Sequence, residues 1–205
     1  MKFVDLSHPM SNAMPTYPSD PDISIIREKD IDTDNSLLHS LKMGTHTGTH
    51  LDVPAHVIPE GKTLDNFLLS SFTGSAVKID EYSYNCLDQI EGEISGVIYD
   101  SGWYRNFNES KIFYGSDRPV ISETLIEKVV EMKTKFFGCD LPSVDVSGSK
   151  KKPVHHALLG SNIIIYESLT NLDQLPLLKP FQFYGFPLRF DKLDGSPVRA
   201  VAYVE

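Results

Sequence analysis

The strongest constraint on the fold of this chain is the run from residue 46 to residue 56, His-Thr-Gly-Thr-His-Leu-Asp-Val-Pro-Ala-His. It places three of the seven histidines and one aspartate within eleven residues. A helix is not expected here, because threonine and glycine are poor helix formers and the proline would break a turn. The first histidine is also followed by Thr47, where a helical zinc-protease motif has glutamate. The run is therefore predicted to be extended.

Metal binding requires this extended run to bend. The three histidines and Asp52 all have even numbers, so they share one face of a strand. In a straight strand the Cα atoms of His46 and His50 would lie roughly 13 Å apart, but two donors on one zinc ion lie within about 4 Å of each other. Gly48 is where the backbone can bend, because glycine accepts positive φ angles. His50 and Asp52 then converge on a metal, or the run is a polar loop.

The run resembles, at every specified position, the His-x-Gly-Thr-His-x-Asp-x-Pro-x-His signature of the cyclase-like metal-dependent hydrolase family. This family includes the bacterial kynurenine formamidases and the isatin hydrolases. Nearly the whole chain is similar to it, because further family landmarks occur in family order: Asp5-Leu6-Ser7, Met14-Pro15-Thr16-Tyr17-Pro18, Ser101-Gly102-Trp103, Gly138-Cys139-Asp140, Ser143-Val144-Asp145 and the stretch from His155 to Leu175.

The composition predicts one compact globular domain over residues 1–205, and the resemblance implies that it is a metal-dependent hydrolase domain. With 205 residues, 40% of them hydrophobic, the chain is able to bury a substantial core. No apolar run approaches the roughly 18 residues of a membrane span, and the first residues lack the apolar core of a signal peptide, so a cytoplasmic location is expected. The net charge of −9 argues against a nucleic-acid partner. The lysine run 150–152 is expected to be a solvated loop.

Hydrophobic patterning predicts strands that outnumber helices and do not alternate with them regularly, which argues against a doubly wound sheet. The resemblance implies an α/β (α+β) fold, a swivelling β/β/α domain with mixed β-structure flanked by helices. Predicted strands cover 2–6, 23–28, 37–43, 75–80, 96–100, 136–140, 162–167, 181–188 and 198–204. Predicted helices cover 64–70, 122–134 with Ser122 as the N-cap, and 153–159 closed by Gly160.

A second group of candidate ligands lies more than a hundred residues later. The predicted strand 162–167 is apolar on both faces, so Glu167 at its end either is a buried carboxylate that needs a partner such as a metal, or emerges into solvent. Of the adjacent histidines, His155 shares the apolar stripe of its predicted helix better than His156 does. Family members have a metal histidine twelve residues before a metal glutamate, which also selects His155 with Glu167.

The resemblance implies two divalent ions. One would be held by His46, His50 and Asp52, and the other by His155, with Asp52 and Glu167 able to bridge both. Imidazoles and carboxylates without thiolates suit zinc, manganese, iron or cobalt, and we expect zinc first and manganese second.

The expected chemistry is hydrolysis by a metal-activated water, with His56 as the acid/base residue. The resemblance implies a C–N bond of a small aryl formamide, as in N-formylkynurenine during tryptophan breakdown, with Tyr17 where relatives stack an aromatic residue on the aryl ring. The alternatives are another amide, an isatin-like lactam or an ester, or a metal-binding relative without turnover. A small-molecule substrate, a homodimer or larger homo-oligomer, and no membrane partner are expected.

Overall fold

The computed structural model describes residues 1–204, in which eleven strands and four α-helices are present. The strands are β1 (Lys2–Asp5), β2 (Ser24–Lys29), β3 (Leu38–Lys42), β4 (His50–Asp52), β5 (Thr73–Ile79), β6 (Gly96–Tyr99), β7 (Phe136–Cys139), β8 (Ile164–Glu167), β9 (Pro180–Tyr184), β10 (Gly195–Pro197) and β11 (Val201–Val204). The α-helices are α1 (Ile31–Asp34), α2 (Ser110–Phe113), α3 (Glu123–Glu131) and α4 (Pro153–Gly160). Short 3-10 turns cover Pro54–His56, Leu64–Asn66, Leu69–Ser71, Tyr84–Gln89, Trp103–Asn106 and Leu172–Gln174.

Nine of these strands form one mixed sheet in the order β1-β11-β9-β5-β6-β7-β8-β4-β10, and β2 pairs with β3 in a separate hairpin. The central strands β5, β6, β7 and β8 are parallel, whereas the flanking pairs are antiparallel. The strands β6, β7 and β8 are buried throughout, because α3 and α4 cover one face of the sheet and loops and turns cover the other. This two-sided burial explains their continuous apolar sequences.

The pairing of β4 with β8 determines where the polar side chains meet. The two strands are antiparallel, with His50 opposite Glu167 and Asp52 opposite Ile165. Strand β8 ends at Glu167, and α4 lies in the connection between β7 and β8. Histidine and carboxylate side chains that are far apart in sequence are thus brought to one end of the sheet interior.

The strand predictions are confirmed in position, with ends that differ by a few residues. The short strand β10 was not predicted, because its three residues are a glycine, a serine and a proline. The helix predicted over 122–134 is α3, and the Ser122 hydroxyl accepts a hydrogen bond from the Leu125 N–H at 3.2 Å, as an N-cap does.

Two helix predictions are wrong in detail. The segment 64–70 is not an α-helix but two separate 3-10 turns. Helix α4 begins at Pro153, as predicted, but it includes Gly160 instead of ending before it. The left-handed residue that terminates this region is Asn162, with a φ of 58°, because asparagine tolerates that conformation nearly as well as glycine.

None of the helices formed by residues 1–204 has both the length and the apolar character needed to cross a bilayer.

We predict that Gly96→Ala destabilises the protein. Gly96 begins β6 beside the ring of Phe136, and a Cβ atom there would meet Phe136 Cε2 at 1.9 Å. Overpacking of this kind typically costs about 1–3 kcal/mol, so we expect a lower free energy of unfolding in urea. Gly160→Ala is the matched control, since no heavy atom lies within 4 Å of its added Cβ. Equal stabilities of the two variants would contradict the packing argument.

Candidate metal centre and its cavity

Four buried side chains from three elements converge at the end of the sheet. His50 and Asp52 project from β4, Glu167 ends β8 and His155 lies in the first turn of α4. Each is at most 4% exposed. Glu167 is therefore a buried carboxylate that needs a partner and does not emerge into solvent at the end of its strand. His156 is exposed, so the prediction that His155 is the inward-facing histidine is confirmed.

The distances among these side chains suit metal ligation. His50 Nε2 lies 3.4 Å from Asp52 Oδ1 and 3.4 Å from Glu167 Oε2. His155 Nε2 lies 3.4 Å from Asp52 Oδ2 and 3.4 Å from Glu167 Oε1. Donors about 2.1 Å from a tetrahedral ion are themselves about 3.4 Å apart. Each carboxylate therefore presents one oxygen to each imidazole, an arrangement in which carboxylates can bridge two ions.

The hydrogen bonding of Asp52 also fits a cation. Within residues 1–204, Asp52 Oδ2 is buried and accepts no hydrogen bond. Glu167 Oε1 accepts the backbone N–H of Val144 at 2.7 Å. A buried carboxylate oxygen without a partner is costly, and a divalent cation compensates that cost. Since every donor in the group is an imidazole nitrogen or a carboxylate oxygen, the set is able to hold zinc, manganese, iron or cobalt.

Neighbouring groups fix how the two imidazoles are oriented. His50 Nδ1 donates to the carbonyl of Gly48 at 2.8 Å, and Gly48 has a φ of 66°. The predicted bend between His46 and His50 is thus confirmed at the glycine. His155 Nδ1 donates to Asp145 at 2.6 Å, and the same carboxylate accepts the Val154 N–H at 2.9 Å at the start of α4. These contacts leave both Nε2 atoms facing the carboxylates, as metal ligands require.

His46 lies beside this group and is held by two carboxylates. Its Nδ1 is 2.7 Å from Asp52 Oδ1, and its Nε2 is 2.8 Å from Asp194 Oδ2. Burial by itself lowers the pKa of His46, but Asp52 and Asp194 together raise it to about 10. Both His46 ring nitrogens therefore face carboxylate oxygens, and Asp52 connects His46 to the other candidate ligands.

The remaining charges in the group depend on one another. Burial lowers the pKa of His155, yet the hydrogen bond to Asp145 and the carboxylates of Asp52 and Glu167 raise it to about 10. Burial raises the pKa of Asp52, but His46 and the other imidazoles hold it well below its usual range. A divalent cation has to displace the histidine protons, so metal binding is expected to strengthen as the pH rises.

Asp194 is a site residue that the sequence analysis missed. It immediately precedes β10, and β10 pairs with β4 so that Gly195 lies opposite Asp52. Hydrogen bonds hold the pKa of Asp194 well below its usual range, and the bond with His46 contributes more than the bond with His56. Gly195 permits the approach, because a Cβ atom there would meet His46 Cε1 at 2.7 Å. No local pattern identifies Asp194, since only the long-range pairing of strands brings it to the site.

His56 lies in the 3-10 turn Pro54–His56 and not further along an extended face, which corrects the sequence prediction. The proline starts this turn and redirects the chain. The His56 ring nevertheless reaches the site, with its centroid 4.1 Å from that of His46 and 5.5 Å from that of His155. Its Nδ1 donates to Asp194 Oδ2 at 3.3 Å, and its Nε2 accepts from Lys152 Nζ at 3.0 Å.

A cavity of about 210 Å³ opens onto this group. The structure brings together on its wall every residue predicted to form the site: Tyr17, His46, His50, Asp52, His56, His155 and Glu167. The Tyr17 ring packs edge-on against Tyr114, which also lines the cavity, with centroids 5.5 Å apart. Lys152 lines it too, so the prediction of a solvated loop is wrong for this lysine, although Lys150 and Lys151 are exposed.

The chain is similar to known proteins over nearly its whole length. The chain matches the family model described as putative cyclase over residues 4–146. It is 29% identical to a protein named kynurenine formamidase from Salinibacter ruber, over 98% of this chain and 97% of that protein. Another protein of that name, from Geobacillus thermodenitrificans, is also 29% identical, over 97% of this chain and 95% of its own length.

Solved structures share the fold. Isatin hydrolase A from Ralstonia solanacearum superposes with a TM-score of 0.86 at 24% identity, covering 100% of this chain and 92% of its own. The expected fold class, mixed β-structure flanked by helices, is thereby confirmed.

We predict that divalent zinc or manganese raises the melting temperature of this protein and that Asp52→Asn removes the effect. A ligand at a hundredfold excess over its dissociation constant stabilises by about 2.7 kcal/mol. The shift is expected to grow with pH, because the cation displaces histidine protons. Asp20→Asn is the control, since Asp20 lines the same cavity outside the ligand group. Differential scanning fluorimetry with metal analysis measures both, and an equal shift in the two variants would contradict the assignment.

Proposed function

Because the chain belongs to the putative cyclase family, we propose that it is a metal-dependent hydrolase that cleaves a C–N bond of a small aryl formamide, amide or lactam. The observation that carries the proposal is the convergence of two imidazoles and two carboxylates beside His56 in one cavity. Metal ligands next to a histidine base form the usual arrangement for hydrolysis by an activated water.

The proposed ligands divide into two groups. His46, His50 and Asp52 would hold one ion and His155 the other, with Asp52 and Glu167 shared between them. The contacts of each carboxylate with both His50 and His155 support the sharing. Zinc is our first choice of metal and manganese the second. When bound, such ions polarise a carbonyl group and lower the pKa of water.

His56 is the proposed acid/base residue. Asp194 accepts a hydrogen bond from the His56 Nδ1–H, so that Nε2 carries the lone pair of the neutral ring. That nitrogen is able to take a proton from the attacking water and then deliver it to the leaving nitrogen as the C–N bond breaks. Asp194 also holds the ring in place and stabilises the imidazolium that forms between the two transfers.

An aryl formamide of the N-formylkynurenine type is the best candidate substrate. Two relatives that align with nearly the whole chain are named kynurenine formamidase. Tyr17 and Tyr114 form an aromatic part of the cavity wall against which an aryl ring could pack. An isatin-like lactam is the alternative, favoured by the likeness to isatin hydrolase A. An ester substrate and a metal-binding protein without turnover are further outcomes of the assay below.

We also propose that residues 1–205 act as one hydrolase domain and assemble as a homodimer or larger homo-oligomer. The relatives align with 97–98% of the chain, which supports one domain. The hairpin β2–β3 supports assembly, because Ile26, Ile31, Leu37, Leu38 and Leu41 are each at least half exposed. An isolated hairpin is only marginally stable in water, and exposed apolar patches commonly mark interfaces.

A second copy of the chain is the proposed occupant of this hairpin. Within residues 1–204, β2 and β3 pair only with each other, so each has an unpaired edge. An identical edge from a second copy is able to pair with it about a two-fold axis, burying the leucines of both copies.

We predict that the metal-loaded protein hydrolyses N-formylkynurenine in preference to isatin and a simple aryl ester, and that His56→Ala abolishes most turnover. General acid/base catalysis contributes about 10²–10⁴-fold, so we expect a loss of that order in kcat. Metal content should be unchanged, because His56 is not among the proposed ligands. Steady-state assays and metal analysis of both proteins provide the measurements.

Full activity of His56→Ala with normal kinetics would overturn the acid/base assignment. Metal binding without hydrolysis of any of the three substrates would instead favour a non-enzymatic protein. A preference for isatin or the ester would keep the hydrolase and replace the substrate.

We predict that Leu38→Lys combined with Leu41→Lys dissociates the oligomer, since charged side chains would replace apolar ones on the hairpin. Light scattering coupled to size-exclusion chromatography measures the mass. Leu69→Lys is the control, because Leu69 is 72% exposed but lies outside the hairpin. A monomeric wild-type protein, or a double variant of unchanged mass, is incompatible with this interface.

A further inference from the structure

Lys152 has an unusual position for a lysine in a charged loop. Its Nζ lies 3.0 Å from His56 Nε2, and it is the one lysine or arginine described on the cavity wall. Asp20, Asp52 and Glu167 line the same cavity. Among the contacts of residues 1–204, however, Lys152 Nζ forms no ion pair with a carboxylate. Its positive charge therefore faces the cavity with an imidazole nitrogen as its neighbour.

The backbone holds Lys152 in this place. Its φ is 42°, a left-handed conformation that is sterically unfavourable for a lysine and that surrounding structure has to maintain. The Lys152 N–H donates to Ser149 Oγ at 3.2 Å, and the Lys152 carbonyl accepts the His156 N–H at 3.0 Å. Pro153 follows at the start of α4. These contacts hold the Lys152 backbone beside the cavity, whereas the neighbouring Lys151 is exposed.

An ammonium group has three donors, of which the contact with His56 uses one. The remaining two are available to an anion that enters the cavity. A carboxylate accepts a charge-assisted hydrogen bond at about 2.8 Å. Such a carboxylate would consequently lie within about 6 Å of His56 Nε2.

We propose that Lys152 is a substrate-binding residue that recognises a carboxylate near the scissile C–N bond, so the preferred substrates of this site are anionic amides. This inference rests on the proposed function and specifies its substrate class. A substrate carboxylate that binds Nζ would also free the His56 Nε2 lone pair, which Nζ contacts in this structure.

The test compares two aryl formamides that differ by one carboxylate, 2-formamidobenzoate and formanilide. We expect the ratio of their kcat/KM values, anionic over neutral, to fall at least about tenfold in Lys152→Met, because a hydrogen bond to a charged group is lost. Lys151→Met is the matched control, since it removes the same charge from an exposed neighbour, and its ratio should equal that of the wild type. Lys152→Arg should retain most of the preference.

An unchanged ratio in Lys152→Met, or an equal loss with both substrates, would overturn the proposal. Equal loss would mean that the lysine only supports His56 or the fold.

A binding measurement separates this inference from the proposed function. Benzoate is titrated calorimetrically into metal-loaded wild type, Lys152→Met and Lys151→Met. We expect at least about tenfold weaker binding in Lys152→Met alone. If neither formamide is hydrolysed by the wild type, the proposed function fails while this readout still decides the role of Lys152. Equal dissociation constants in the two lysine variants, or no benzoate binding to the wild type, would refute it.

Discussion

The site depends on two carboxylates, Asp52 and Glu167, that the fold buries almost completely. Buried negative charges separated by a few ångströms are unfavourable unless cations balance them. The antiparallel pairing of β4 with β8 imposes this situation, because it sets His50 opposite Glu167 and turns Asp52 into the interior. The surrounding histidines provide this balance, since each is able to carry a proton or to exchange that proton for a metal ion.

The outer contacts follow from that requirement. A ligand imidazole has to present one nitrogen and anchor the other, and the chain supplies a different anchor to each histidine. The Gly48 carbonyl orients His50 without adding charge, whereas Asp145 orients His155 and also begins α4. A neutral anchor on one side and an anionic one on the other make the two imidazoles chemically unequal, with His155 the stronger electron donor.

The sequence predicts those features of the site that depend on residues close together in the chain. The bend at Gly48 follows from the spacing of His46 and His50, and the choice of His155 follows from the apolar stripe of its helix. Asp194 and Lys152 were not predictable in this way. Asp194 immediately precedes a three-residue strand that contains no β-branched or aromatic residue, so that strand was not predicted. Lys152 lies in a segment of serine, glycine and lysine, whose composition is typical of a solvated loop. The tertiary pairing of β10 with β4 brings Asp194 to His46 and His56. The left-handed backbone at residue 152 brings Lys152 to the cavity.

These two residues also determine how His56 is presented. Asp194 accepts at Nδ1 while Lys152 donates at Nε2, so an anion and a cation act on opposite nitrogens of one ring. Because an ammonium group is only able to donate, the contact with Lys152 makes Nε2 the acceptor and Nδ1 the donor to Asp194. Lys152 Nζ occupies the Nε2 lone pair that the proposed acid/base role of His56 needs. The two roles are therefore compatible when a bound anion draws the ammonium group away from that nitrogen.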